Sequence, residues 1–209
     1  FSPDGRLLAT GGVVDHSPRT PMDEPIRVWE LASGKEVATL RGHEETTRGL
    51  AFSPDGRFLA SGSGHYFTTN DRTVRLWDLA SGREIGRFER HRGPVNAVAF
   101  SPDGRSLISA SDDATAMSWD VSALRTRARV KPLSEEEMAA RWEDLAGDDA
   151  PAALLARWSL TDEAAVPFLR TRLGPAKRAE EGDASSHPEV LRRLRAVAVL
   201  EHIGTDDAR

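Results

Sequence analysis

The stretch FSPDGR stands at residues 1–6 and again at 52–57 and 100–105. Each copy reads as a turn between two β-rich runs. Pro takes the second turn position and Gly the fourth, as a tight type I turn prefers. In the last copy the turn joins the alternating run VNAVAF (95–100) to RSLISAS (105–111), and TAMSWDV (115–121) follows as a third strand. A second turn recurs as LASGKE (31–36) and LASGRE (79–84), and the latter leads into EIGRFER (84–90), a fourth strand.

The tryptophans fix the period. Trp29 in RVWEL, Trp77 in RLWDL and Trp119 in MSWDV sit at one register. From Trp29 to Phe52 is 23 residues, and from Trp77 to Phe100 is also 23. The reverse intervals are 28, 25 and 19, so one half of the unit is fixed and the other takes insertions. Four short strands in roughly 40–45 residues, the third ending in Trp-Asp, is the pattern of a propeller blade.

From residue 1 to about 130 the chain resembles the WD-repeat (WD40) β-propeller family, on RGH (41–43), WDL (77–79), SWD (118–120) and the three SPDGR turns. The fold class expected is all-β propeller blades, about three WD40 repeats in an incomplete ring, followed by a small all-α helical domain. The blades are expected at about 1–42, 43–91 and 92–130. The resemblance implies a buried, hydrogen-bonded His, Ser/Thr, Asp and Trp set in each blade. It falls on His43, Ser61, Asp71 and Trp77, on His91, Ser109, Asp113 and Trp119, and on Thr10, Asp23 and Trp29. The sequence departs from the family where Glu30 follows Trp29 and where Arg90 precedes His91.

Ser, His and Asp together also suit a hydrolase. The set repeats in consecutive blades and includes a Trp whose indole N–H needs a buried acceptor, and the sequence contains no G-x-S-x-G elbow. The expectation is therefore a structural set and no enzyme.

Rings usually close with four to eight blades, and three leave unpaired edges. The expectation is a C-terminal piece of a longer protein with further blades upstream, the rival a three-bladed protein closing by self-association. RTRARVKPL (125–133) is the local candidate for a missing fourth strand, ended by Pro132.

After Pro132 the period changes to about 3.6. The expected α-helical domain is 134–209, with a flexible linker at 174–187. Ser134 and Glu137 form a capping box, and Met138, Trp142 and Leu145 follow at helical spacing. Asp149 or Asp148 starts a second helix, Thr161 caps a third, and Pro167 implies a break or restart there. A fourth begins at Pro188 with a stripe of Val190, Leu191, Leu194, Val197, Ala198 and Ile203. AAVPFLRTRLG and PEVLRRLRAVAVLEHIG resemble the two helices of a HEAT-like repeat. An interaction surface and a plain helical cap are both open readings of this tail.

Two insertions, VVDHSPRTPMDEP (13–25) and GHYFTTN (64–70), fall between second and third strands of adjacent blades. His16, His65, Tyr66 and Phe67 make them candidate partner-binding loops, since aromatic side chains on exposed loops anchor partners. The bland alternative is that surface loops tolerate insertion and Phe67 packs down.

Composition bounds the rest. The chain has 209 residues, 29% of them charged, and a net charge of −5. Residues 134–209 carry 10 basic and 16 acidic side chains, so the deficit lies in the tail. Nucleic acid is not an expected partner, and RTRARVK (125–131) suits a solubilising edge better. The expected partner is a protein or peptide. There is no cysteine, and the six histidines lack zinc-like spacing, so no cofactor or metal is expected. No apolar run reaches membrane-span length; the expected location is cytoplasmic, with a leader or anchor upstream of Phe1 left open. Arg supplies 25 of 28 basic residues, which suggests a GC-rich, bacterial genome. The function expected is a non-catalytic scaffold; the alternative is a regulatory segment serving a catalytic domain upstream.

Overall fold

The computed structural model describes residues 1–12, 25–65, 71–127, 133–147, 149–160, 165–173 and 188–203. The chain divides into two compact units, Phe1–Trp29 with Glu36–Arg129 and Glu30–Lys35 with Val130–Arg209.

Three antiparallel sheets build the blades. The first holds β1 (Leu7–Thr10), β2 (Ile26–Glu30) and β3 (Lys35–Leu40) in that order. The second holds β4 (Thr47–Phe52), β5 (Phe58–Ser63), β6 (Val74–Asp78) and β7 (Arg83–Phe88). The third holds β8 (Val95–Phe100), β9 (Ser106–Ser111) and β10 (Ala116–Asp120). Among the described residues the ring is open.

The recurring turn sets the register. Gly56 N–H donates to the Ser53 carbonyl at 2.7 Å, and Ser53 Oγ accepts the Phe58 N–H at 2.9 Å. Gly5, Gly56 and Gly104 have φ between 66° and 69°, the left-handed region where only glycine is unstrained. With the turn closed, Phe52 pairs Leu59 and Leu59 pairs Trp77; in the third sheet Phe100 pairs Leu107 and Leu107 pairs Trp119. β5 lies between two neighbours in its sheet and is buried along its whole length.

The chain leaves the third blade as a helix. α1 spans Ser122–Arg127, so the fourth strand expected from residue 125 is corrected for 125–127; residues 128–132 lie outside the described set. Asp120 Oδ1 accepts the Ser122 N–H at 2.9 Å and its Oγ–H at 2.6 Å, which turns the backbone at the end of β10. Ala, Leu and Arg then favour helix. Leu124 packs on the core shared by Phe58, Val74 and Leu76 of the second blade and Leu107 of the third, and Arg125 pairs with Asp55.

In the second unit, α2 (Glu135–Asp144) begins with the capping box: Ser134 Oγ accepts the Glu137 N–H at 3.2 Å and Glu137 Oε2 accepts the Ser134 N–H at 2.8 Å. α3 (Ala150–Ser159) is capped by Asp149 on the Ala152 N–H. α4 (Ala165–Leu173) contains Pro167 without a break, because Pro167 lies in the first turn, where its missing N–H costs nothing. α5 (Pro188–Ile203) presents a different face from the expected stripe. Leu194 and Val197 are exposed, whereas Leu191, Arg195, Ala196, Ala198 and Val199 are buried. The reason is Arg195. Its guanidinium donates to the carbonyls of Leu145 and Gly147 at 2.7 and 3.2 Å and grips the Glu30 carboxylate at 2.6 and 2.8 Å. A fully paired arginine takes an inward position that periodicity assigns to an apolar residue. Residues 161–164, 174–187 and 204–209, with the Thr161 cap and the linker, lie outside the described set.

Candidate functional site

The only sites that sequence chemistry points to are the repeated polar sets and the two inserted loops. In the second blade, His43 lies just before β4, Ser61 in the middle of β5, Asp71 just before β6 and Trp77 within β6. His43 Nδ1 is 2.6 Å from Asp71 Oδ2, and His43 Nε2 is 2.7 Å from Ser61 Oγ. Trp77 Nε1–H donates to Ser61 Oγ at 2.8 Å.

Donor chemistry gives this chain one direction. An ionised carboxylate only accepts, so His43 Nδ1 carries the proton facing Asp71. Nε2 is then the acceptor of a neutral ring and takes the Ser61 hydroxyl hydrogen. Ser61 in turn accepts from the indole. All four side chains are satisfied, and all four are buried.

Burial lowers the His43 pKa, and the Asp71 hydrogen bond opposes this without overcoming it. Burial pushes the Asp71 carboxyl upward, but hydrogen bonds from His43, Thr73 and the Glu44 N–H hold it well below the usual carboxylate range. The Thr73 N–H and Oγ–H reach Asp71 Oδ1 at 3.1 and 2.6 Å.

Spacing alone did not name the next layer. Arg75, also buried, places Nη2 3.5 Å from Asp71 and Nη1 2.9 Å from Glu84, and Nε donates to Thr73 Oγ1 at 3.1 Å. The signal was present: Arg27 and Glu36 stand at the same places in the first blade and pair at 2.8 Å. In the third blade Met117 occupies this place.

The third blade repeats the set. His91 Nε2 is 2.8 Å from Ser109 Oγ, Nδ1 is 3.1 Å from Asp113 Oδ2, and Trp119 Nε1–H donates to Ser109 at 2.9 Å. The hydroxyl of Thr115 and the N–H of Arg92 hold the Asp113 carboxyl well below its ordinary range, Thr115 most strongly. In the first blade Trp29 Nε1–H donates to Thr10 Oγ1 at 3.2 Å, and Asp23 lies outside the described residues.

Of the loop candidates, His16, Tyr66 and Phe67 lie outside the described residues, and His65 is half-buried. Among the described residues no group of three or more His, Cys, Asp or Glu side chains could hold a metal ion, and no helix is long and apolar enough to cross a membrane.

Comparison with known proteins agrees with the blade-like sheets. The family profile of the WD domain, G-beta repeat, matches residues 34–78 and 82–120. The chain is 42% identical over 57 residues to the nuclear distribution protein PAC1 of Mycosarcoma maydis, covering 27% of this chain and 11% of that protein. It is 39% identical over 59 residues to the Lissencephaly-1 homolog of Dictyostelium discoideum, covering 28% and 13%. It is 46% identical over 57 residues to Centriole proteome protein 16 of Chlamydomonas reinhardtii, covering 27% and 2%. The chain thus spans a small fraction of each relative's length, and all three relatives are eukaryotic. Residues 34–78 and 82–120 match the family profile of the WD domain, G-beta repeat, in a chain that sets three antiparallel sheets before its helices.

Proposed function

We propose that this chain is a non-catalytic scaffold that binds a protein or peptide through the loops of its WD repeats. The observation that carries this reading is the state of the two serines. Ser61 and Ser109 have Ser-His-Asp geometry, yet both are 0% exposed and each also accepts an indole N–H. A nucleophile needs a free line of approach to a carbonyl carbon, and neither oxygen has one. The polar sets therefore tie strands together and leave the surface to recognition. The domains of this reading are blades over 1–130 and a HEAT-like tail over 134–209. Its location is cytoplasmic and its source bacterial, the latter on the arginine-rich composition. Nucleic acid is not an expected partner, on the net charge of −5.

The loop at 64–70 is the first place to test. The immobilised chain captures its protein partner, and Tyr66→Ala with Phe67→Ala abolishes capture without shifting the melt. Unchanged capture by that variant removes the loop from the reading.

A further inference from the structure

We infer that the helical unit carries a carboxylate-binding site, that Glu30 occupies it as a resident ligand, and that a free carboxylate takes the same place once the Glu30 side chain is removed. The turn Glu30–Lys35 folds with Val130–Arg209 as one compact unit.

The helices supply the site from their own groups. The Arg195 side chain of α5 is only 5% exposed. Its Nη1 donates to the Leu145 and Gly147 carbonyls at 2.7 and 3.2 Å. Carbonyls at a helix C-terminus carry partial negative charge and lack partners within the helix, so the end of α2 fixes the guanidinium. That uses one edge of the arginine. The other edge, Nε and Nη2, has the spacing that a carboxylate spans with both oxygens. Glu30 fills it at 2.8 and 2.6 Å. Arg157 of α3, also buried, adds a second positive charge. Burial pushes the Glu30 carboxyl upward, but the bonds from Arg195 and Ser33 and the charges of Arg195 and Arg157 outweigh this and hold it below its ordinary value.

The second blade shows what is particular to Glu30. Asp78 follows Trp77 there as Glu30 follows Trp29. Both acids keep the same turn contact, from the Ser81 hydroxyl at 2.9 Å and from the Ser33 hydroxyl at 2.6 Å. They differ in the arginine. Asp78 takes Arg57, from the SPDGR turn of its own blade, at 3.2 Å. Arg6 holds that place in the first blade and pairs with Asp4 at 3.8 Å. Glu30, longer by a methylene, reaches Arg195 instead. The residue that departs from the Trp-Asp pattern is thus the one whose charge the helices bind. The ligand class is a carboxylate, such as an acidic side chain.

Rescue by acetate tests this on the whole chain. Glu30→Ala removes the resident carboxylate and leaves room at the paired edge of Arg195. The helical far-UV circular dichroism of this variant should melt about 6 °C or more below wild type in sodium chloride. Replacing chloride by acetate at equal ionic strength should raise its Tm by about 2 °C or more. Wild type and Glu30→Gln, whose side chains fill the site, should gain nothing from the exchange. A Glu30→Ala chain without helical signal in chloride should regain it in acetate. The inference is overturned if acetate does no more than chloride for Glu30→Ala, folded or unfolded. A gain of equal size in all three proteins overturns it too, because acetate then acts on the solvent and not at Arg195.

Discussion

His43 Nδ1 lies 2.6 Å from Asp71 Oδ2, although 28 residues separate them in the chain. The contact ties the entry of β4 to the entry of β6, two strands that are not neighbours in their sheet. Removing the ring leaves Ser61 and Asp71 buried without their partner. His43→Ala is expected to destabilise the fold by about 1–3 kcal/mol, read from urea unfolding. An unchanged midpoint would show that the set contributes nothing to stability.

The same pair makes stability depend on pH. Burial holds the folded His43 pKa below its ordinary value. Unfolded, the ring titrates at about 6.5. Between the two values the unfolded chain binds the proton and the folded chain does not, so stability falls as pH is lowered through about 6.5. Asp71, depressed in the fold, adds a separate loss below about 3.9, its unfolded value. Urea unfolding from about pH 7.5 to about pH 5 should show a steeper decline for the wild type than for His43→Asn. Parallel profiles for the two proteins would contradict a buried neutral ring.

Arg75→Met places in the second blade the residue that the third carries as Met117. It leaves the buried Asp71 carboxylate without its guanidinium and Glu84 with Arg87, at 2.9 Å, as its remaining partner. The cost is expected at about 3 kcal/mol, the scale for breaking one side of a buried ion pair. Pairing it with Glu84→Gln should give less than the sum of the single effects, since both remove one contact. Strict additivity would place the two residues in separate networks.

Gly64→Ala is expected to be among the most damaging small substitutions. Gly64 has φ 153°, and a Cβ there would stand 2.5 Å from Pro94 Cα, which is backbone. The combined strain and overpacking cost about 2 kcal/mol or more, measured as a fall in Tm. Gly34→Ala, with φ 67° and open space around it, meets strain alone and should lose less.

The blades were legible because their signals are local and repeated. Turn, alternating run and tryptophan recur at fixed intervals, and each constrains the same register. Arg75 was harder to read, because a charged residue on a strand usually faces water and only its ion pairs permit burial. Arg195 is buried for the same reason, and with it on the inward side Leu194 and Val197 of the expected stripe face water. α1 was missed because the propeller pattern calls for a strand after Asp120, while the local Ala-Leu-Arg preference and the Asp120 bonds to Ser122 win. The loop candidates rest on sequence alone, since composition marks an insertion without fixing its path.

The most direct test of a structural role for the repeated sets is Ser61→Ala, followed by thermal melting and by ester and peptide hydrolysis on one preparation. The account predicts a lower Tm, since His43 and Trp77 both lose their shared partner, and hydrolysis equal to the buffer background in wild type and variant alike. Turnover by the wild type that vanishes in a Ser61→Ala protein with an unchanged melt would contradict it and make Ser61 a nucleophile.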